Sequence, residues 1–201
     1  QRFGDRYCCM DKIVMWLKIA VSCLPAMLIG LPLNDWLDKH FYNPTVVALM
    51  LLLYGAGFLF VERYNHRRKP RVNSIAALRW SDALLIGVFQ VLALMPGTSR
   101  SGATILGGIL IGASREVAAE YTFFLAVPVM FGASLLKIVK FGAISGTELG
   151  VLLVGMAVAF GVSILAIRFL MGYIRKHDFT AFGWYRIGLG LLVLLYFYVI
   201  R

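Results

Sequence analysis

Five long apolar segments constrain the fold of this chain more than any other feature of its sequence. They cover residues 13–33, 44–61, 117–136, 149–167 and 187–200. Each is close to the roughly 17–25 residues that a helix needs to cross the hydrocarbon core of a bilayer. Lipid offers the backbone no hydrogen-bond partners, so such segments cross as helices. The sequence therefore predicts an all-α, polytopic integral membrane protein that forms a single membrane domain over 1–201.

The net charge of the chain has two interpretations. With 20 Lys and Arg against 10 Asp and Glu it is formally +10, which in a soluble protein would raise the question of nucleic acid. Here 60% of the residues are hydrophobic, and no basic patch alternates with aromatic side chains as in a strand-binding surface. We interpret the charge as basic loops held on the cytoplasmic face. The predicted surroundings are membrane lipids, with no nucleic acid partner.

The stretch 82–114 differs from the other apolar segments because it is broken in the middle. As a continuous helix it would be about 50 Å long, too long for one crossing. Pro96 and Gly97 interrupt it, since proline removes a backbone donor and glycine adds backbone freedom. Each half then has about 14 residues, too few to span the membrane. We predict a re-entrant helix pair over 82–114.

The distribution of basic residues favours this re-entrant pair. If the segment turns back, the cytoplasmic loops hold 14 basic residues, four of them in 168–186, and the outer side holds four. If it crosses, the split is 12 to 6, with the 168–186 group outside, against the positive-inside rule. Non-helical backbone at membrane depth needs protein or water around it, so we expect the tip near the middle of the bilayer, facing a polar cavity.

Broken helices of this kind come in inverted pairs, one in each repeat. Only one such element is visible in these residues. On this view, 1–81 is the remainder of a first repeat with a basic cytoplasmic loop, and 82–201 is the second repeat.

The tip of the predicted pair is a run of small and hydroxyl residues around a single arginine. An arginine at membrane depth costs several kcal/mol unless it is paired, so we interpret it as functional. Its planar guanidinium matches phosphate oxygens, and the N-terminus of the second half-helix favours an anion. Simple helix packing would account for the glycines but not for the arginine. The predicted oxyanion site has Arg100, Ser99, Ser101 and Thr104 in catalytic roles, and Gly97, Thr98 and Gly102 in phosphate binding.

Other polar residues in the apolar segments are few. Gln90 either hydrogen-bonds a neighbouring helix or lines the cavity, and we include it among the binding residues. Glu120 is the candidate partner of the tip arginine and is also included among the binding residues; the alternative is a helix-end carboxylate that pairs with Arg115 or faces the interface. Lys18 is expected to snorkel, and Asp82 to be an N-cap or first-turn acid of the first half-helix.

The segment Gly87-Val-Phe-Gln-Val-Leu-Ala-Leu-Met-Pro-Gly-Thr-Ser-Arg-Ser-Gly-Ala-Thr104 resembles the P-G-x-S-R-S-x-x-T signature of the undecaprenyl-diphosphate phosphatases, the bacitracin-resistance family. Residues 114–128 resemble the next helix of that family. The resemblance implies an enzyme of the bacterial cytoplasmic membrane that hydrolyses undecaprenyl diphosphate to the monophosphate and inorganic phosphate for cell-wall synthesis. It also implies two inverted repeats, each with a re-entrant pair, around a site open to the outer face.

One part of the family pattern has no match. The first signature, E-x-x-x-E followed by serines and a histidine, is not found in 1–61. We expect this chain to lack the first re-entrant pair, and with it the nucleophile, the carboxylates and any Mg²⁺ or Ca²⁺ that they bind. No metal ligand is predicted among these residues. The alternative function is a lipid-phosphate transporter or flippase that uses the same anion site. A homo-oligomer is compatible with the sequence, which does not fix the oligomeric state.

Overall fold

The computed structural model describes residues 2–66, 68–141 and 146–200, which form helices joined by short connections. Seven α-helices follow one another in the order α1 (Arg2–Phe41), α2 (Pro44–Asn65), α3 (Trp80–Val91), α4 (Arg100–Ile111), α5 (Arg115–Phe141), α6 (Gly146–Ile174) and α7 (Thr180–Leu195). Short 3₁₀ helices at Ile75–Ala77 and Leu92–Leu94 flank α3, and a π-helical turn at Tyr196–Ile200 follows α7. The described residues contain no β-strand, and the all-α prediction is confirmed.

Within the described residues, five helices are long and apolar enough to cross a membrane, as the hydropathy predicted. The candidate spans are Met10–Gly30, Pro44–Asn65, Arg115–Val139, Gly146–Ile174 and Thr180–Val199. The last span begins seven residues before its predicted start at 187, because the helix continues through Trp184, Tyr185 and Arg186. The multi-pass membrane architecture is confirmed.

Helices α3 and α4 form a hairpin whose outer ends meet at Arg71. Each helix has 12 residues and is therefore about 18 Å long. The Arg71 guanidinium donates to the Asp82 carboxylate in the first turn of α3 at 2.7 Å, and the Arg71 N–H donates to the Gly112 carbonyl just after α4 at 2.8 Å. Asp82 also accepts the backbone N–H of Arg79 at 2.9 Å, the role predicted for a first-turn acid. The hairpin thus begins and ends at the same end of the helix bundle.

Helix α4 lies at the centre of the fold, with residues 102–109 all buried. Helix α1 packs along α3, where the Ser22 hydroxyl lies 2.6 Å from the Ala83 carbonyl and 2.7 Å from the Tyr121 hydroxyl of α5. Donation from Tyr121 to Ser22 and from Ser22 to Ala83 satisfies all three groups and joins three helices. A Cβ on Gly87 would lie 2.5 Å from the Ser22 carbonyl oxygen, so only glycine allows this close approach.

Helix α7 packs antiparallel to α2. The ring of Phe179, just before α7, lies 5.7 Å from that of Phe58 in the second half of α2. Beyond α7, the Tyr198 hydroxyl lies 2.8 Å from that of Thr45 in the first turn of α2. Between these contacts the two helices are in backbone contact, since a Cβ on Gly55 would lie 2.9 Å from the α7 backbone. This crossing places α7 next to the hairpin, with Arg186 of α7 close to Gly102 of α4.

A buried carboxylate ties three helices together at the end of the bundle where the hairpin begins. Glu62 of α2 is 4% exposed and accepts hydrogen bonds from the Arg115 Nε at 2.9 and 3.0 Å and from the Arg115 Nη2. It also accepts the backbone N–H of Phe179 at 3.1 Å. The alternative that Arg115 pairs with Glu120 is therefore wrong, because α2 supplies the partner from 53 residues away.

Lys18 of α1 does not snorkel. Its side chain is buried, and its ammonium group donates to the Leu78 carbonyl at 2.6 Å, with the Trp80 ring 5.9 Å away. The ammonium satisfies a carbonyl at the end of the 3₁₀ helix that leads into α3. Lys18 therefore positions the start of the hairpin.

Candidate functional site

The tip of the hairpin is a tight turn made by Pro96 and Gly97. The Thr98 N–H donates to the Met95 carbonyl at 3.1 Å, and Gly97 has φ +89°, as expected for proline and glycine in the middle of a type II turn. A Cβ on Gly97 would lie 2.6 Å from the Val47 carbonyl oxygen. Glycine is thus required at position 97 by the turn and by the contact with α2. Phosphate binding by Gly97 stays a prediction.

The turn packs against the first turn of α2. Val47 belongs to the first turn of α2, whereas Arg71 and the outer ends of the hairpin lie beyond the last turn of that helix. The turn is therefore near the end of α2 opposite Arg71. Its predicted position near the middle of the bilayer stays a prediction.

Ser99 caps the helix that follows the turn. Its backbone is extended (φ −73°, ψ 127°), and its hydroxyl oxygen accepts the Gly102 N–H at 3.2 Å, so α4 begins at Arg100. The exposed Ser101 has its hydroxyl 3.0 Å from that of Ser99. The first N–H groups of an α-helix have no partner within the helix, and the N-terminus carries a partial positive charge. The structure thus brings together two hydroxyls, a helix N-terminus and an arginine.

Arg100 is half-buried and makes no ion pair with a carboxylate of the described residues. Its guanidinium lies within electrostatic range of the Cys23 side chain of α1. The structure does not bring Glu120 to it, so the predicted pairing of Glu120 with Arg100 is not formed. A partly desolvated guanidinium without a counter-charge favours an anionic ligand.

Thr104 is placed differently from the other hydroxyl residues of the motif. It is 1% exposed and donates to the Arg100 carbonyl at 3.0 Å, one helical turn earlier. Its oxygen also accepts the hydroxyl of Thr122 on α5 at 3.0 Å. Its hydroxyl proton and one lone pair are therefore occupied, and in this structure Thr104 fixes α4 against α5 rather than offering a free donor.

Buried polar atoms without partners are concentrated around this turn. Among the described residues they are both amide atoms of Gln90, the hydroxyl of Thr98 and Nη1 of Arg186. The hydrogen bond from Gln90 to a neighbouring helix, one of the two predicted alternatives, is not formed, and Gln90 is only 3% exposed. Such groups are rare in folded proteins and require an explanation, commonly a ligand or water.

Arg186 is a residue that the sequence analysis missed. It was counted among cytoplasmic loop residues, but it lies in α7, inside the candidate span Thr180–Val199. Its Nη2 lies 3.3 Å from the position that a Cβ on Gly102 would occupy, so it reaches the first turn of α4. The aromatic residues just before Arg186 continue the helix, and they could have indicated that it lies within the span. The basic residues further upstream led instead to its assignment to a loop.

The described residues hold no group of three or more His, Cys, Asp or Glu side chains that could bind a metal ion. Around the start of α4 the structure places Arg100 and the hydroxyls of Ser99 and Ser101. Their chemistry suits phosphate oxygens.

Comparison with known proteins agrees with this chemistry. The family model described as "Bacitracin resistance protein BacA" matches residues 3–192. An "Undecaprenyl-diphosphatase" of Acetivibrio thermocellus is 58% identical over 192 residues, covering 95% of this chain and 71% of that protein. "Undecaprenyl-diphosphatase 1" of Clostridium acetobutylicum is 54% identical over 199 residues, covering 98% and 73%. An "Undecaprenyl-diphosphatase" of Enterococcus faecalis is 55% identical over 186 residues, covering 92% and 67%. The chain belongs to the bacitracin resistance protein BacA family.

Proposed function

We propose that this chain carries the phosphate-binding part of an undecaprenyl-diphosphate phosphatase. The reaction is hydrolysis of the terminal phosphoanhydride: water adds to the outer phosphorus, and the lipid monophosphate leaves with the bridging oxygen. The products are undecaprenyl monophosphate and inorganic phosphate, which returns the lipid carrier to cell-wall synthesis. The observation that carries the proposal is Arg100, a half-buried guanidinium without a carboxylate partner in the described residues, at the N-terminus of α4.

In this proposal Arg100 stabilises the negative charge that develops on the transferring phosphoryl group. Fixed donors aimed at developing charge are effective because they do not reorganise during the reaction. Ser99 and Ser101 donate their hydroxyls to phosphate oxygens, and the free N–H groups at the start of α4 add a backbone contribution. We favour hydrolysis over transport because the relatives are named undecaprenyl-diphosphatases.

The hairpin of α3 and α4 is proposed to be re-entrant from the cytoplasmic side of the bacterial inner membrane. Its outer ends meet at Arg71, which belongs to the basic connection between α2 and α3. The positive-inside rule assigns such a connection to the cytoplasm. The turn at Gly97 then lies toward the outer side, where the polyprenyl diphosphate would reach it from the lipid.

Any Mg²⁺ or Ca²⁺ ion that takes part would need ligands other than a cluster of His, Cys, Asp or Glu side chains in the described residues, because none is found there. No step of the reaction is assigned to a metal through this chain.

Phosphate release from a polyprenyl diphosphate by the full protein in detergent micelles tests the proposal. Replacing Arg100 with alanine should reduce kcat by about 10²–10³, the loss typical of removing one such donor. Arg100→Lys should recover only part of the rate, because an ammonium lacks the planar fork of donors. Size-exclusion profiles and melting temperatures like those of the unsubstituted protein would show that the fold is kept. Activity of a folded Arg100→Ala protein within roughly threefold of the original would contradict the assignment.

A further inference from the structure

Arg186 of α7 is a second arginine inside a candidate membrane span. The span Thr180–Val199 is otherwise apolar or aromatic over most of its length, and the Arg186 Nη1 is buried without a hydrogen-bond partner. None of the ion pairs among the described residues involves it. An unpaired guanidinium in this position is energetically unfavourable, so a stabilising partner is expected when the protein works.

The guanidinium of Arg186 reaches the first turn of α4, the helix that begins at Arg100. Its Nη2 and the Cβ of Ser99 both lie 3.3 Å from the point where a Cβ on Gly102 would be. The absence of a side chain at Gly102 therefore leaves room for the guanidinium beside the cap of α4. The Phe58 ring, 5.8 Å from the Arg186 guanidinium carbon, holds the group in place.

The hydroxyl of Thr98 is a second polar group beside the turn. Its Oγ1 is buried and makes no hydrogen bond of good geometry, with Tyr54 of α2 as its polar neighbour. Tyr54 also lies within electrostatic range of the Arg186 guanidinium. Thr98 and Arg186 are therefore both neighbours of Tyr54, close to the start of α4.

The geometry points to Arg186, together with Thr98, as the binding site for the second phosphate of a diphosphate, beside the first phosphate held by Arg100. The inference rests on the proposed function and deepens it. Arg100 is the first residue of α4 and the Arg186 guanidinium reaches the first turn of that helix, so the two residues together offer two cations to a ligand with two linked phosphates. Arg186 is therefore a specificity residue, which makes the site prefer diphosphate over monophosphate and phosphate.

Competitive inhibition by inorganic pyrophosphate and by inorganic phosphate tests this role. The selectivity is the inhibition constant of phosphate divided by that of pyrophosphate, measured on phosphate release by the full protein. Arg186→Gln should lower this ratio by about tenfold or more, the effect of losing a charge-assisted bidentate contact, while the phosphate constant changes little. The matched control is Arg168→Gln, which removes the same charge from the exposed part of α6 and should leave the ratio unchanged.

A second variant keeps the test decisive if Arg186→Gln does not fold. Arg186→Lys retains the charge but replaces the planar fork by a point charge, so the ratio should fall by roughly threefold or more. A ratio equal to that of the original protein in a folded Arg186→Gln or Arg186→Lys variant would overturn the inference. Failure of the original protein to release phosphate from any polyprenyl diphosphate would instead overturn the proposed function. Pyrophosphate binding, measured by calorimetry, would then still test Arg186. Equal affinity of the original protein and the variant for pyrophosphate would contradict the inference.

Discussion

Replacing Glu62 with glutamine should destabilise the protein more than any change of a surface charge. The carboxylate is 4% exposed, accepts three contacts from Arg115 and takes the N–H of Phe179. Glutamine keeps one carbonyl oxygen for Phe179 but leaves the guanidinium without its counter-charge. Breaking a buried ion pair costs about 3–5 kcal/mol. Because the Arg115 side chain is 38% exposed, water compensates part of this, and we expect a loss of about 2–3 kcal/mol.

The measurement is the equilibrium free energy of unfolding in bicelles or mixed micelles. The matched control is Glu116→Gln, which breaks an ion pair with Arg175 whose side chains are 46% and 63% exposed, and this change should cost less than about 1 kcal/mol. In a double-mutant cycle, Glu62→Gln and Arg115→Gln should be non-additive by more than about 1 kcal/mol. A Glu62→Gln protein within about 0.5 kcal/mol of the original, or additive single changes, would show that Glu62 and Arg115 do not form a stabilising pair.

Two further changes test the packing of the hairpin by the same measurement. Gly107→Ala places a Cβ 2.4–2.7 Å from the base of the Phe89 side chain, which should cost about 1–3 kcal/mol. The control Gly132→Ala, with nothing within 4 Å of its Cβ position, should be neutral or stabilising. Equal stabilities of the two variants would show that α3 and α4 do not pack as described. Lys18→Met leaves the buried Leu78 carbonyl without its donor and should cost about 1–3 kcal/mol, and an unchanged stability would contradict the role of Lys18 in positioning the hairpin.

The helices could be predicted from the sequence because their cause is local. Membrane-spanning segments are set by the composition of about 20 consecutive residues, and the break at Pro96 and Gly97 by the backbone properties of two. Both features appear in the structure at the predicted places. The start of α7 was placed too late because Arg186 interrupts the hydropathy but not the helix.

Contacts between distant helices could not be predicted in this way. Glu62 and Arg115 are 53 residues apart, and neither position signals the other. The burial of Lys18 depends on where the 3₁₀ helix before α3 happens to end. These pairings follow from helix packing, which the periodicity of one segment does not determine.

Only part of the candidate site could be predicted from the sequence. Arg100 stands out because it is the only charge in a long apolar stretch, and Ser99 is a good N-cap by its own chemistry. Arg186 became visible only once the antiparallel crossing of α7 and α2 at Gly55 brought it to the start of α4. The motif alone likewise could not show that the Thr104 hydroxyl is occupied within the fold.

The structure of the full protein with a bound non-hydrolysable analogue, a polyprenyl methylene-diphosphonate, would show whether Arg100 binds the diphosphate. We expect phosphonate oxygens within about 3 Å of the Arg100 guanidinium and of the Ser99 or Ser101 hydroxyl, at the N-terminus of α4. A diphosphonate bound elsewhere in the protein, with Arg100 making no contact to it, would contradict this role of Arg100.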